Sequence, residues 1–226
     1  MKRLSVMVLS VMLCLAMAMG AVALAENTTP KLLGTWKSTS PEAEVFSMTM
    51  MGDGNGEAFM NGESLGKFGF ALRGENMASL EPTGENGSLA LETCKMVFTD
   101  EDTVVGTVVV DGISYSETYV RTAPADADSM TLDNAFLGTW VADLPEAKGL
   151  VMTYLPDGSY TFEAGELKGE CGYFVFENNL VSLTDEGEAE QFTFEVVDKN
   201  TINVTELSSG VMAPFTRVTE TQEDAA

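Results

Sequence analysis

The chain has no histidine, and this absence excludes several kinds of site at once. Among its 226 residues there is no imidazole to act as general base, to bind zinc or copper, or to build a catalytic dyad or triad. A thiol nucleophile would lack its usual partner, so neither Cys94 nor Cys171 is expected to be catalytic. No glycine-rich phosphate loop leads into a helix. The sequence therefore predicts a non-enzymatic protein with no catalytic residue and no cofactor.

Basic residues are scarce as well. Lysine and arginine number 12 against 35 aspartates and glutamates, which gives a formal net charge of −23 at pH 7. A field of this sign repels nucleic acid and anionic membrane surfaces, so neither is expected as a partner. The acidic residues are spread along the chain, which favours solubility as their role. Binding of a cation or of a basic partner is the alternative interpretation.

A long apolar run occurs only at the start of the chain. The segment Met1-Lys2-Arg3, with two basic residues, precedes an uncharged stretch, Leu4–Ala25, that ends in small residues. This order is typical of a secretory signal peptide cleaved after Ala25. The stretch is also long enough to span a bilayer, so an uncleaved anchor is the alternative. Leu13 is too large to precede a lipid-modified Cys14, which argues against a lipoprotein. We expect a secreted protein with no membrane insertion after cleavage.

Tryptophan is rare too, and its two occurrences reveal an internal repeat. Leu33-Gly34-Thr35-Trp36 recurs as Leu137-Gly138-Thr139-Trp140, and these segments hold the only two tryptophans. The likeness continues downstream, where Asp53-Gly54 matches Asp157-Gly158. A repeat of this length indicates two copies of one folding unit.

Within each copy the pattern is that of β-strands. Apolar residues alternate with polar ones over 46–50, and the matching stretch 150–154 keeps large apolar residues at the same alternate positions. Alternation of this kind predicts a strand with one buried face, and the Asp-Gly that follows predicts a hairpin turn. A second set of strands is expected over 138–218. The first-copy strands are expected near 34–38, 44–51, 56–61, 67–73, 76–81, 88–98, 103–110 and 113–121.

Short turns between successive strands predict an antiparallel meander in each copy. About eight such strands close into a barrel or fold into two packed sheets. We therefore expect an all-β chain with two small meander barrels in tandem, and one larger barrel shared by both copies is the alternative. The segment Thr122–Ser129 has no large apolar residue and favours two units. The expected divisions are a signal peptide at 1–25, domain 1 at 26–122, a linker at 123–134, domain 2 at 135–219 and an acidic tail at 220–226.

Two stretches carry side chains that metals bind, and in each the repeat favours another role. Residues 53–57 place oxygen ligands at alternate positions, as calcium loops do, but the matching residues 157–161 keep only the turn. Met48, Met50 and Met51 would suit monovalent copper, although their alternation and their replacement in the second copy favour core packing. No metal site is expected.

Two cysteines lie beyond the signal peptide, one in each copy. Cys94 and Cys171 occupy positions that do not correspond in the repeat, so they cannot form an equivalent bridge within each unit. A single bridge between the units is one possibility in a secreted protein. Two free, buried thiols are the favoured interpretation.

The tryptophans and two arginines carry a family resemblance. A Gly-x-Trp motif at the first strand of a meander barrel, with an arginine on the last strand, resembles the lipocalin-like superfamily, especially the short tandem domains of secreted bacterial proteins. In that superfamily the tryptophan closes one barrel end and the arginine packs across it. The resemblance implies two such pairs, Trp36 with Arg121 and Trp140 with Arg217, whose role is structural. A cation–π contact contributes roughly 0.5–2 kcal/mol.

These observations leave three functional classes. The first is a secreted, non-enzymatic tandem binding or interaction module, with a small apolar ligand at a barrel mouth. The second is a structural or surface-interaction protein with filled barrels that recognises a protein or an envelope polymer. The third is a carboxylate-dependent hydrolase, which needs two acids about 5–10 Å apart in a cleft. We favour them in that order, and the size of any cavity inside the barrels distinguishes the first two.

Overall fold

The computed structural model describes residues 27–41, 46–83, 88–125, 134–143 and 149–219. These residues form two closed antiparallel barrels of eight strands each. The predicted all-β tandem fold is confirmed, and the alternative of one larger shared barrel is wrong. The expected signal peptide, residues 126–133 of the expected linker and the acidic tail at 220–226 lie outside the described residues.

The first barrel is a meander in which each strand pairs with the next and the last strand closes on the first. A short helix, α1 (Thr29–Leu32), precedes it, with Pro30 in its first turn. The strands are β1 (Gly34–Ser38), β2 (Phe46–Met50), β3 (Asn55–Met60), β4 (Glu63–Arg73), β5 (Asn76–Thr83), β6 (Ser88–Asp100), β7 (Thr103–Val110) and β8 (Ile113–Pro124).

The second barrel repeats this plan in sequence and in detail. Thr35 and Thr49 place their hydroxyl oxygens 3.1 Å apart between β1 and β2, and Thr139 and Thr153 do the same at 3.1 Å between the matching strands. The strands are β9 (Gly138–Ala142), β10 (Leu150–Tyr154), β11 (Ser159–Ala164), β12 (Leu167–Phe176), β13 (Asn179–Leu183), β14 (Ala189–Asp198), β15 (Thr201–Glu206) and β16 (Met212–Arg217).

Because every strand reverses direction, the turns of each barrel gather at two ends. One end holds the start of the first strand with its tryptophan, together with the Asp-Gly turns at Gly54 and Gly158, whose φ angles are 76° and 84°. We call this the plugged end. The other end holds the hairpin turns at 61–62 and 165–166, and we call it the open end.

The two barrels pack against each other through the outer faces of β4, β5, β12 and β13. Ala71 and Leu80 of the first barrel meet Phe174 of the second in one buried apolar cluster. Gly69 leaves the space that this approach requires, since a Cβ at that position would lie 2.5 Å from the Phe174 ring. These strands are apolar on both faces because one face lines a barrel and the other lines the contact.

An ion-pair network lies beside this apolar contact. The Arg73 side chain is 0% exposed, and its Nη1 donates to Glu170 at 3.0 Å while its Nε donates to Asp185. Asn76 Nδ2 donates to the Asp185 carbonyl oxygen at 2.7 Å. Burial opposes the charge on Arg73, but the bonds and charges of Asp185 and Glu170 outweigh it and raise its pKa. The network joins the first barrel to the second through a buried, paired charge.

Candidate functional site

The structure brings each predicted tryptophan–arginine pair together. The Cζ of Arg121 lies 4.3 Å from the centroid of the Trp36 ring, and that of Arg217 lies 4.2 Å from the Trp140 ring. The two members of each pair are also cross-strand neighbours, because the last strand of each barrel closes on the first. Both distances are within cation–π range.

These pairs hold down the segment that enters each barrel. The indole nitrogens of Trp36 and Trp140 donate to backbone oxygens four residues earlier, at 2.6 Å in both copies. Arg121 Nη2 donates to the Lys31 oxygen at 2.8 Å, and Arg217 Nη2 donates to the Ala135 oxygen at 2.9 Å. Since these bonds go to the protein's own backbone, the four residues form a plug that fastens the entering segment to one end of each barrel.

A cavity of about 50 Å³ lies inside the second barrel. Its wall is formed by seven of the eight strands of this barrel, all but β12, and by the segment that precedes β9. Of the fourteen described lining residues, twelve are apolar or aromatic. They are Phe136, Trp140, Leu150, Met152, Tyr154, Tyr160, Phe162, Leu180, Phe192, Ile202, Val204 and Phe215, and the remaining two are Ser182 and Glu190.

Aromatic rings give this wall a fixed shape. Tyr154 and Tyr160 stack with their centroids 5.0 Å apart, and Phe136 lies 5.2 Å from Tyr154. Ring pairs prefer such offset and edge-on arrangements, and they lose little freedom when buried. Burial, with Tyr173 nearby, raises the pKa of Tyr154 above its usual value, so its hydroxyl stays neutral at physiological pH.

The polar part of the wall is small, and its one acid lies on the strand β14 near the open end. The hydroxyl oxygens of Tyr160 and Ser182 are 2.8 Å apart. Glu190 pairs with Ser182 across β13 and β14, and the next pair on the same face, toward the plugged end, is Leu180 with Phe192. None of the fourteen described lining residues carries a positive charge. The cavity is therefore apolar at its floor and acidic at its rim.

The methionines and aspartates considered as metal ligands have structural roles. Met48 and Met50 lie in the core of the first barrel. The Asp53 and Asp157 carboxylates each accept the backbone N–H two residues on, at 3.0 Å and 2.9 Å, as in an ordinary turn. Within the described ranges, no three His, Cys, Asp or Glu side chains come close enough to hold a metal ion.

The two cysteines are free, Cys171 buried and Cys94 half-buried. Burial raises the pKa of each thiol to about 11. Both are therefore protonated, weak nucleophiles at neutral pH.

The described part of the chain contains no helix that is long and apolar enough to cross a membrane.

Sequence reasoning missed Glu190 and the cavity around it. One signal was available, because alternation from Phe192 places Glu190 on the inner face of a strand, where an acid is unusual. The cavity itself has no signal in any single strand, since it depends on the summed volumes of side chains from seven strands.

Comparisons with known proteins give little further information. No protein-family model and no curated protein matches the sequence. The chain has a weak likeness to the solved structure of a protein of unknown function from the DUF3598 family of Nostoc punctiforme, with 11% sequence identity and a match that covers 85% of this chain and 100% of that one. The TM-score of 0.25 is too low for this likeness to support an argument about function.

Proposed function

We propose that this chain is an exported, non-enzymatic binding protein whose second barrel holds a small apolar ligand. The cavity is the observation that carries this proposal, because an apolar, aromatic wall with a few convergent polar groups is typical of ligand sites. The fixed plug at the other end leaves the open end as the route of entry. Export rests on the apolar stretch at Leu4–Ala25.

The size of the cavity limits what enters it. An engineered apolar cavity of roughly 150 Å³ binds benzene, whereas the space here is about 50 Å³. We therefore infer that the buried part of the ligand is a short alkyl chain. Met152, a half-buried thioether in the wall, gives the site some room to adapt. Haem and a whole lipid chain are too large for this site.

The composition of the wall supports binding rather than hydrolysis. Glu190 is the one carboxylate among the described lining residues. A carboxylate-dependent hydrolase needs two acids about 5–10 Å apart around the scissile bond. The third class of function is therefore the least supported by this cavity.

The test is a titration of the mature protein with neutral alcohols from propan-1-ol to octan-1-ol, followed by the methyl NMR signals of Leu180 and Ile202. We expect affinity to rise with chain length until the cavity is filled and then to level off. Palmitate and haem should leave these signals unchanged. If no alcohol moves them, the proposal of a ligand site in the second barrel is wrong.

A matched pair of variants locates the binding. Val204→Met adds volume inside the cavity and should weaken alcohol binding several-fold, because the chain and the new side chain compete for one space. Val105→Met makes the same change on the outer face of the first barrel and should bind as the unchanged protein does. Equal affinities in the two variants would place the binding elsewhere.

A different observation favours an interaction surface as a second candidate function. The hairpin of β7 and β8 extends past its neighbours: β6 pairs with β7 only as far as Thr107, and β1 pairs with β8 only from Tyr119 onward. Near its tip Val109 and Ile113 are 63% and 57% exposed. Open strand edges accept an additional strand. Because the chain is strongly acidic, we propose that the partner is a protein that supplies an extended, basic and apolar strand.

The interaction is tested with a synthetic peptide of alternating valine and lysine. The unchanged protein should bind it, and the double variant Val109→Lys, Ile113→Lys should not, because it places like charges on the edge. A variant with lysines at Val196 and Val197, exposed on the second barrel, is the matched control. Equal binding by all three proteins would show non-specific charge attraction and would remove this candidate.

A further inference from the structure

The wall of the second-barrel cavity carries negative charge and, among its described lining residues, no positive charge. Its polar side-chain atoms belong to two tyrosines, Ser182, Glu190 and Trp140, whose indole N–H is bonded to the Phe136 oxygen, and among the described lining residues Glu190 is the one that carries charge. A carboxylate that is partly removed from water is stabilised by a cation or by a strong hydrogen-bond donor. A ligand that reaches it with an acceptor or with a negative charge would be repelled.

The carboxylate also has a defined position relative to the apolar floor. Glu190 is the second residue of β14 and Ser182 is the fourth of β13, and both strands have these residues at the open end. One inward-facing step deeper, the cavity is lined by Leu180 and Phe192. A ligand with an apolar part and a polar head would thus enter apolar end first, and its head would stop beside Glu190.

The first barrel carries the same pair of residues. Ser79 pairs with Glu92 across β5 and β6, and the repeat places Ser79 opposite Ser182 in the other copy. Met77 and Met96 mark the inner faces of these two strands, so the alternation puts Ser79 and Glu92 on the inner face as well. Glu92 is nevertheless exposed, whereas Glu190 is half-buried in the wall of the second-barrel cavity, so the two copies share the residue pair but not its surroundings.

The charge of the whole chain acts in the same direction. With a formal charge of −23 the protein attracts cations and repels anions before contact. The rim of the cavity and the field around it thus favour the same class of ligand.

We infer that the second barrel binds a short primary amine, with its alkyl part against Leu180, Phe192 and Ile202 and its ammonium group beside Glu190. This inference rests on the proposed function and names the chemical class of its ligand. No covalent step is involved, and the first barrel is expected to contribute no binding of this kind, since its acid has no equivalent aromatic floor beneath it.

The experiment compares three ligands that differ in their head group alone: butan-1-amine, butan-1-ol and butanoate. Titrations are followed by the methyl NMR signals of Leu180 and Ile202 at low salt and pH 7. We expect the amine to bind about tenfold more tightly than the alcohol, equivalent to about 1.4 kcal/mol, and butanoate to bind most weakly. In Glu190→Gln the amine should lose this advantage and bind no more tightly than the alcohol does to the same variant.

Two controls make the result specific. Glu92→Gln removes the matching acid of the first barrel with the same loss of charge, and the preference for the amine should persist in it. If Glu190→Gln does not fold, as judged by its thermal unfolding, Glu190→Asp withdraws the carboxylate by one methylene and should reduce the preference.

The outcomes separate the two proposals. If the alcohol binds and the amine has no advantage, the amine inference is overturned and the apolar ligand site remains. If none of the three ligands binds, the proposed function itself is wrong. If the advantage of the amine is equal in Glu190→Gln and in Glu92→Gln, it arises from net charge, and the assignment to Glu190 is overturned.

Discussion

The two barrels share a strand plan and an end plug, but they fill their interiors with different side chains. The core of the first barrel is rich in methionine, with Met48, Met50, Met77 and Met96 buried in it. The core of the second is rich in rings. Methionine is flexible and fills irregular space, whereas aromatic rings are rigid and meet at preferred angles. A barrel lined with rings is therefore better suited to keep a cavity of fixed shape.

One pair of positions shows how the copies exchanged large and small residues. In the first barrel Gly56 of β3 faces Phe68 of β4, and a Cβ on Gly56 would lie 2.3 Å from that ring. The equivalent positions of the second barrel hold Tyr160 and Cys171, which also pair. The large residue of the pair is thus on the second strand of the hairpin in the first barrel and on the first strand in the second barrel, with a small residue opposite it in both. This exchange puts the Tyr160 hydroxyl beside Ser182 in the cavity wall.

The comparison separates what the fold needs from what a function can use. Both copies keep the tryptophan, the arginine above it and the threonine pair between the first two strands. They differ in the side chains on the inner faces of the remaining strands. The shared residues explain closure of the barrels, and the differing ones explain why the proposed ligand site lies in the second copy.

The largest effect should come from removing the shared plug. Trp36→Ala and Trp140→Ala should each destabilise the protein by about 3–5 kcal/mol, because a fully buried ring is lost and a cavity is left. Denaturant unfolding measures this, and Trp140→Phe, which keeps a ring but loses the N–H, should cost less. A loss below about 1 kcal/mol in both alanine variants would show that the plug does not hold the barrels closed.

The second largest loss of stability should come from breaking the ion pairs of Arg73 at the contact between the barrels. Arg73→Met should cost about 2–3 kcal/mol, below the 3–5 expected for a fully buried pair, because Asp185 and Glu170 keep some contact with water. The double variant Arg73→Met, Asp185→Leu should recover part of this loss, since it removes the more buried of the two carboxylates that lose their partner and leaves Glu170, which is 32% exposed. A double variant that loses the sum of the two single effects would contradict a coupled pair.

Arg73 also shows where sequence reasoning stopped. Beyond the apolar stretch Leu4–Ala25 the chain has three arginines, and the resemblance assigned Arg121 and Arg217 but gave no role to the third. Its partners lie about a hundred residues away, at Glu170 and Asp185. No local pattern indicates such a pairing, because it depends on which outer faces of the two barrels meet.

The strands themselves were predictable, because their signals are local. Alternation and the Asp-Gly turns located every strand of the first barrel, and β1 and β7 have the predicted limits. The prediction began β4 at 67, but the strand starts at Glu63, since its pairing with β3 continues to the turn at Asn61. The helix α1 was not predicted, because one turn of four residues leaves no apolar period to detect.

One feature of the sequence does indicate the contact between the barrels. Residues 68–72 and 180–183 are mainly apolar at successive positions rather than alternate ones. Such a run predicts a strand buried on both faces, and a small barrel has only one inner face to bury. These two runs therefore indicate a second layer packed outside each barrel, although they do not identify it.

The next largest change in stability should come from altering the pair of large and small residues, Tyr160 and Cys171. Cys171→Phe alone should destabilise the protein by about 1–3 kcal/mol, because it adds a ring opposite Tyr160 in a packed core. Adding Tyr160→Gly recreates the pair found in the first barrel and should restore about 1–2 kcal/mol of that loss. Chemical denaturation of the two single variants and the double variant measures the coupling. Strict additivity would mean that the two positions do not compensate each other.

Removing the cysteines should change the stability of the protein least at neutral pH and more clearly at alkaline pH. Burial raises the pKa of Cys94 and Cys171 from 9.0 to about 11, so the folded protein holds these protons more tightly than the unfolded chain does. Their contribution to stability is therefore fully present below about pH 9 and is lost as pH rises toward 11. In Cys94→Ala, Cys171→Ala the decline in unfolding midpoint between these pH values should be shallower than in the unchanged protein. Iodoacetamide at pH 7.5 should label neither thiol before unfolding, and rapid labelling of both in the folded protein would contradict their burial.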